Sequence, residues 1–317
     1  MASLTLITRK EMKRGIYLVA NKKSQELCFN LIYSIRESGC NLPIRLIHFG
    51  GEKINSLYIL KQVEFLYYED FPLEAKQLIT NLSSVLTDCP LGFLYRYLAW
   101  FSDWDEFIYS DNDIVALCNW ETLFDHLSGF DVVHADEEYT TNGRYNYTKP
   151  EIIQLLFGIN ALESAITAGH IVVKRNSGMV NDINNAIVWF NQNSGIAKKH
   201  DQSLLHIASL LGDWRVLNLC KSPHNWLSSW AGDYKNSLQI IQHIQNKNVN
   251  ISHLHYSGSS PKGDLAIQDL LLSAKNDDER LIKLSIVSLN FLSGYQKASG
   301  FFLKLRRFYN TRFSKRI

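Results

Sequence analysis

Apolar residues recur along the chain in short runs divided by polar or glycine-bearing breaks, and the runs alternate between two periods. Gly15–Ala20 is a compact apolar run stopped by Asn21-Lys22-Lys23-Ser24, the pattern of a buried strand. Leu27, Leu31, Ile32 and Ile35 follow at helical spacing, with Ser24 placed as N-cap and Gly39 as the stop. Pro43–Phe49 repeats the strand pattern and ends at Gly50-Gly51. Strand, helix and strand make a βαβ unit with a right-handed crossover. Helices are predicted over Ile54–Gln62, Phe93–Phe101, Trp120–Leu127, Asn181–Phe190 and Ser203–Leu210. Strands are predicted over Val63–Tyr68, Phe130–Ala135, the run ending at Val173, and Trp214–Leu219. The alternation predicts an α/β fold.

One run differs from the rest. Glu106–Tyr109 leads through Ser110 into Asp111 and Asp113, spaced by one, and Ile114–Leu117 then resumes the apolar pattern. A buried strand is predicted there, with both aspartates where the chain leaves the sheet. Open α/β sheets bind ligands in that crevice. Carboxylates two residues apart in extended or turning backbone can reach one divalent cation, and hard oxygen ligands suit Mg²⁺ or Mn²⁺. The same spacing also serves a turn or a cap. Asp103-Trp104-Asp105, before the strand, is a second copy, expected as a solvated turn.

Other polar positions gather meaning around this pair. Arg96 is expected as a surface or ion-paired arginine, or facing phosphates if its helix points at the crevice. Asp136-Glu137-Glu138 closes a strand with a second acidic cluster, for which a solvated loop is the plain reading of Glu137 and Glu138. Tyr139–Pro150 reads as a polar loop of the kind that carries binding function. The small residues of Ala165–Gly169 lead into a strand and allow backbone to approach a ligand closely. Asp201 is placed to cap Ser203–Leu210. Trp226 and Trp230 either stack on a sugar ring or close the core. His255 is a core or surface histidine, or the third ligand of a site with two aspartates.

Composition narrows the function classes. Hydrophobic residues make up 46% and charged residues 20%, as in a soluble globular protein. Net charge is +2, but residues 301–317 carry six basic side chains and no acid, leaving −4 on residues 1–300. A body-wide nucleic-acid surface is therefore not expected. Five scattered cysteines without a Cys-x-x-Cys pair fit neither a disulfide framework nor a structural zinc site, and suit a reducing compartment. No long apolar stretch or signal-peptide pattern stands out, so a cytoplasmic protein is expected. Neither Gly-x-Gly-x-x-Gly nor a Walker-type loop is present.

Five blocks, in order, resemble the family 8 glycosyltransferases of the GT-A fold. Phe107–Ile114 is similar to that family's strand and Asp-x-Asp, and Thr167-Ala168-Gly169 to its Asn-Ala-Gly block. Asp201-Gln202 is similar to its Asp-Gln block, and Asn225-Trp226 to an asparagine/aromatic loop. His255-Tyr256-Ser257-Gly258 with Lys262 resembles its closing His-Tyr-x-Gly…Lys segment. The resemblance spans residues 15–263 and has departures: Ser110 stands for an apolar residue, Thr167 for asparagine, no Lys-Pro-Trp follows Gly258, and Lys262 lies one residue further from His255.

The resemblance implies an α/β protein of GT-A fold, a Rossmann-like mixed central sheet flanked by helices, with residues 1–265 as the nucleotide-sugar-binding catalytic domain. Ala266–Leu292 is helical in pattern, so a C-terminal helical extension with a basic amphipathic tail is expected over 266–317. The resemblance implies metal-dependent transfer, with retention, from a nucleotide sugar (a UDP-sugar) to a glycan acceptor; the basic tail adds the expectation of a lipid-linked acceptor, as in bacterial surface polysaccharide synthesis. Asp111, Asp113 and His255 would hold Mn²⁺ or Mg²⁺ against the diphosphate. Lys262 would add positive charge there, and Asn112 and Gly258 would join the donor contacts. Ala20 and Asn21 would touch the uridine, while Arg96, Asp136, Ala168 and Gly169 would line the donor sugar. Asp201 and Gln202 would sit beneath the anomeric carbon. On the chain's own pattern, Phe302, Leu305, Tyr309 and Phe313 lie at helical spacing among the basic residues of 301–317. That segment suits an anionic membrane surface on the inner face of the cytoplasmic membrane, or a solvated tail. Two other classes stay open: a non-catalytic nucleotide-sugar or glycan-binding relative, and a sugar nucleotidyltransferase. The latter is expected to carry a glycine-rich loop after its first strand, and Ala20–Ser24 has no glycine.

Overall fold

Successive residues of the first strand, β1 (Arg14–Ala20), enter different cores. Tyr17 and Val19 face one layer, and Ile16, Leu18 and Ala20 face the other. A strand buried on both faces must be apolar throughout, which is why it reads as a continuous run. The structure is a computed structural model and describes residues 12–136, 143–234 and 250–257. Its further strands are β2 (Ile44–His48), β3 (Val63–Tyr67), β4 (Glu106–Ser110), β5 (Ile114–Ala116), β6 (Val132–His134), β7 (His170–Lys174), β8 (Val216–Asn218) and β9 (His253–His255). Seven of them form one sheet in the order β3-β2-β1-β4-β7-β6-β8, while β5 and β9 pair apart as a small ribbon. β7 runs antiparallel to both its neighbours, and the remaining pairs of the large sheet are parallel. This is the mixed sheet expected. The last residues of β1, β4 and β6 and the first of β7 consequently share one edge.

Helices α1 (Gln25–Glu37) and α2 (Leu57–Gln62) cover one face of the sheet, with the 3₁₀ segment Trp120–Leu127. Helices α3 (Leu73–Val85), α4 (Leu91–Leu94), α5 (Pro150–Phe157), α6 (Met179–Gln192) and α7 (Asp201–Leu211) contribute to the core on the other. Neither α3 nor α5 is among the predicted elements, although Ala75, Leu78, Ile79, Leu82 and Val85 keep helical spacing and are all buried. The predicted helix Phe93–Phe101 is instead the short α4 followed by a 3₁₀ segment, Tyr95–Phe101. Tyr95 through Trp100 are all buried there, so the segment has no solvent face to make amphipathic. Gly39 ends α1 at a φ of +82°, as a left-handed stop. Ser24 precedes α1, but its hydroxyl accepts from the Asn21 N–H rather than capping the helix.

No disulfide joins the five cysteines. Among the described residues no helix is long and apolar enough to cross a membrane. Glu137, Glu138, Gly258, Lys262 and the helical and basic segments after residue 265 lie outside the described residues.

Candidate metal centre and active site

Asp111 is the first residue beyond β4, at the shared edge. Its N–H donates to the Gly169 carbonyl (2.7 Å), which ties the exit of β4 to the entry of β7. Its carboxylate accepts from the Tyr109 hydroxyl (2.6 Å) and from Arg96 Nη2 (3.0 Å). Arg96 is only 3% exposed. Its Nε donates to the Phe93 carbonyl (3.0 Å), and Nη1 reaches the Ala168 carbonyl (2.7 Å) and Asp201 Oδ2 (2.9 Å). The guanidinium also lies 4.9 Å over the Tyr109 ring. A buried cation thus joins Asp111 to Asp201, and the ion-paired alternative for Arg96 is the one found. Occupied by protein on this many sides, the guanidinium offers a donor sugar almost no surface.

Asp201 corrects another expectation. The N-cap of α7 is His200, whose ring nitrogen accepts from the Ser203 N–H (3.4 Å). Asp201 is the first helical residue, and its side chain is drawn to Arg96 instead, because a buried guanidinium needs carboxylate partners. Tyr97 adds a hydrogen bond from its hydroxyl to the Asp201 carbonyl (2.7 Å).

Asp113 and His255 are brought together by the small ribbon. Ile114 of β5 stands opposite His255 of β9, and the Tyr256 N–H donates to the Asp113 carbonyl (3.0 Å). His255 Nε2 then lies 3.4 Å from Asp113 Oδ1. The other ring nitrogen, Nδ1, is in close hydrogen-bond contact with Asp136 Oδ2. Gly169 packs on the ring, and a Cβ there would lie 2.1 Å from His255 Cε1. Glycine is needed at 169 because the imidazole takes the space a side chain would fill.

One ligand atom from each of Asp111, Asp113 and His255 can be chosen so that all three lie within 4.8 Å of one another. Two carboxylate oxygens and one imidazole nitrogen suit a hard or borderline divalent cation such as Mn²⁺. Burial and the neighbouring Asp113 raise the Asp111 carboxyl above its usual range despite Arg96. Burial also acts on Asp113, but His255 outweighs it and draws that carboxyl below its usual range. Burial opposes charge on His255, yet Asp136 and Asp113 together raise it well above the ordinary imidazole value. A cation held by these groups would favour the charged form of both carboxylates. His255 Nε2 is buried and makes no hydrogen bond among the described residues. The residues present therefore fit the metal.

The other expected site residues fall around this centre. Ala20 is fully buried at the end of β1, and Asn21 follows it with Oδ1 accepting the N–H groups of Lys23 and Ser24. Asn112 donates from Nδ2 to the Val19 carbonyl (2.6 Å), linking the exits of β4 and β1. Ala168 and Gly169 present carbonyls to Arg96 and Asp111. Asp136 is 2% exposed and meets His255 rather than open solvent. Gln202 lines a polar pocket with Asp136, His134 and Thr167. Its Nε2 and His134 Nε2 are buried without partners among the described residues. His134 was not marked by the sequence; its only signal is a polar residue in an apolar strand. Trp226 packs against the core beside His126, and the Trp230 indole N–H donates to the Ser257 carbonyl (2.9 Å).

Comparison with known proteins adds a partial family match and a fold. The model of a family described as "Mannosyltransferase putative" matches residues 13–156, less than half of the chain. A comparison with curated proteins finds no match. Among solved structures, the chain is similar to the bifunctional glycosyltransferase WbbM in its apo form, with 14% identity and a TM-score of 0.52. That match covers 86% of this chain and 52% of the other, so the chain spans about half the length of that enzyme. It is also similar to apo mouse xyloside xylosyltransferase 1, with 11% identity, a TM-score of 0.50, and coverage of 78% of this chain and 99% of that one. At such identities the likeness speaks for architecture. The chain has the GT-A glycosyltransferase fold.

Proposed function

We propose that this protein is a metal-dependent glycosyltransferase, similar to family 8, that uses a nucleotide-sugar donor. The observation that carries the reading is the convergence of Asp111, Asp113 and His255 at the carboxyl edge of the sheet. Ligands bind at that edge in open α/β folds. Asp111, Asp113 and His255 would hold Mn²⁺ or Mg²⁺ against the diphosphate of the donor. When bound, the ion supplies Lewis-acid stabilisation of negative charge on the departing nucleoside diphosphate.

The chain's own residues prepare the rest. Arg96 and Tyr109 orient the Asp111 carboxylate, so that part of its acceptor capacity is committed and the remainder is aimed. Arg96 also carries Asp201 to the same edge, next to Gln202 and the polar pocket. In this reading the transferred sugar lies over that pocket. Gln202 and His134 meet its hydroxyls, and Asp201 faces its anomeric side. Donor hydroxyls would satisfy buried polar atoms that otherwise carry a desolvation cost. The transfer proceeds with retention, the donor is a UDP-sugar, and the acceptor is a glycan or a lipid-linked sugar.

Donor hydrolysis tests this without a guess about the acceptor. The full chain is incubated with common UDP-sugars and with GDP-mannose, which the mannosyltransferase match brings into the screen. Release of nucleoside diphosphate from one donor with Mn²⁺, abolished by EDTA, is the expected result. Binding of a nucleotide sugar with no turnover, with or without acceptor glycans, would instead support a non-catalytic relative. No metal-dependent nucleotide binding of any kind would sink the proposal.

A further inference from the structure

Asp136 is a buried carboxylate with one evident task. It stands just beyond β6, at 2% exposure, and its side chain contacts the imidazole of a residue 119 positions later. Burying a carboxylate is costly unless it is hydrogen-bonded or paired, so the contact needs a reason. A carboxylate accepts, so the proton in the Asp136–His255 bond belongs to Nδ1 of the ring. With the proton held there, Nε2 is the nitrogen available as a ligand, and Nε2 is the one beside Asp113 (3.4 Å). Gly169 closes the ring face, leaving His255 no room to tilt toward it. Histidine ligands are commonly oriented in this way by a carboxylate on the opposite nitrogen.

We infer that Asp136 is a positioning residue for the metal: its carboxylate fixes the tautomer and ring orientation of His255, which presents Nε2 beside Asp111 and Asp113. It acts on the ion through the histidine, whatever it adds to the pocket it lines with Gln202. The inference rests on the metal-dependent reading above.

The test uses Mn²⁺ alone with the full chain. Affinity is read from the free-ion EPR signal, and imidazole coordination from ¹⁴N modulation of the bound-ion echo. Wild type is expected to show ¹⁴N modulation that His255→Ala removes. Asp136→Ala, which removes the acceptor, should weaken Mn²⁺ binding toward about 100-fold and suppress the modulation. Asp136→Asn, of nearly the same shape and still able to accept from Nδ1, should lose about 10-fold and keep more of the modulation. This isosteric variant carries the test if the alanine variant does not fold. Wild-type affinity and modulation in Asp136→Asn and in any folded Asp136→Ala, while Asp111→Asn abolishes binding, would overturn the positioning role and leave the metal site standing. A loss of donor hydrolysis with Mn²⁺ binding intact would likewise overturn it, in favour of a sugar contact. Unchanged Mn²⁺ binding in Asp111→Asn, Asp113→Asn and His255→Ala would bring down the metal reading itself.

Discussion

The chain carries two Asp-x-Asp triplets at opposite ends of one strand, and they meet different fates. Asp103 precedes β4, with its side chain 57% exposed, and it pairs with Arg45 and, at 3.9 Å, with Lys13. Asp105 accepts the Lys13 N–H (3.0 Å), while Trp104 between them is buried under the Arg45 guanidinium. Asp111 and Asp113 follow β4, where β1, β6 and β7 also end or begin and where β9 delivers a histidine. The triplets are alike in spacing and differ in which edge of the sheet they reach. Residue spacing gives two carboxylates; topology brings a histidine beside them.

The comparison can be broken most directly by neutralising each triplet. Asp111→Asn or Asp113→Asn is expected to reduce Mn²⁺ affinity by more than about 100-fold, since loss of a partner one bond further out already reaches that size. Asp103→Asn or Asp105→Asn should leave Mn²⁺ affinity and donor hydrolysis within about twofold of wild type, because Asp103 is an exposed ion-pair partner and Asp105 accepts a backbone N–H at the other end of β4. A metal titration of the four variants checks both halves.

The arginines sharpen it next. Arg96→Met leaves Asp111 and Asp201 short of their shared cation and should cost about 3–5 kcal/mol of stability. Arg45→Met removes pairs with the exposed Asp103 and Glu64 and should cost about 1 kcal/mol or less. Urea unfolding with an unchanged slope would measure both.

Acid sensitivity must be separated from site chemistry, and His206 allows it. Its Nε2–H donates to the Ala161 carbonyl (3.0 Å), so Nδ1 accepts from the Tyr147 hydroxyl (2.7 Å). Burial lowers this imidazole from 6.5 to about 4. Between those values the unfolded chain binds the extra proton and the folded one does not, so stability rises with pH across the window. The contribution is complete above 6.5 and is lost as pH falls toward 4, amounting to roughly 3 kcal/mol. His206→Gln should flatten the slope of unfolding free energy between pH 4 and 6.5. An unchanged slope would remove His206 as its source. Within the metal centre, the smallest effect is expected from Tyr109→Phe, which deletes one hydrogen bond to Asp111. It should weaken Mn²⁺ binding by about 1.5 kcal/mol, the low end of the range for a bond to a charged group.

The sequence exposed local order well and long-range partnership poorly. β1, β2, β3 and the exit of β4 were legible because each is a short apolar run with a clear break. Asp111, Asp113 and His255 could be marked, the first two from spacing and the third from resemblance. What spacing could not show was Arg96 between Asp111 and Asp201, or Asp136 behind His255. Those pairs depend on sheet order, in which β7 enters between β4 and β6 from the opposite direction. The cap assigned to Asp201 failed for the same reason, since a distant arginine outbid a local N–H and His200 took the end of the helix.

The proposed third ligand arrives on a strand of only three residues, His253–His255, held to β5 across three residue pairs. Local fraying of that strand and loss of the histidine ligand are therefore one event. An ion that binds only the paired form must resist the fraying in proportion to its own affinity. Amide exchange at Leu254 and His255 would then slow as Mn²⁺ is added, with amides in the middle of β1 as an internal reference. The ribbon would act as a latch whose strength is set by metal concentration.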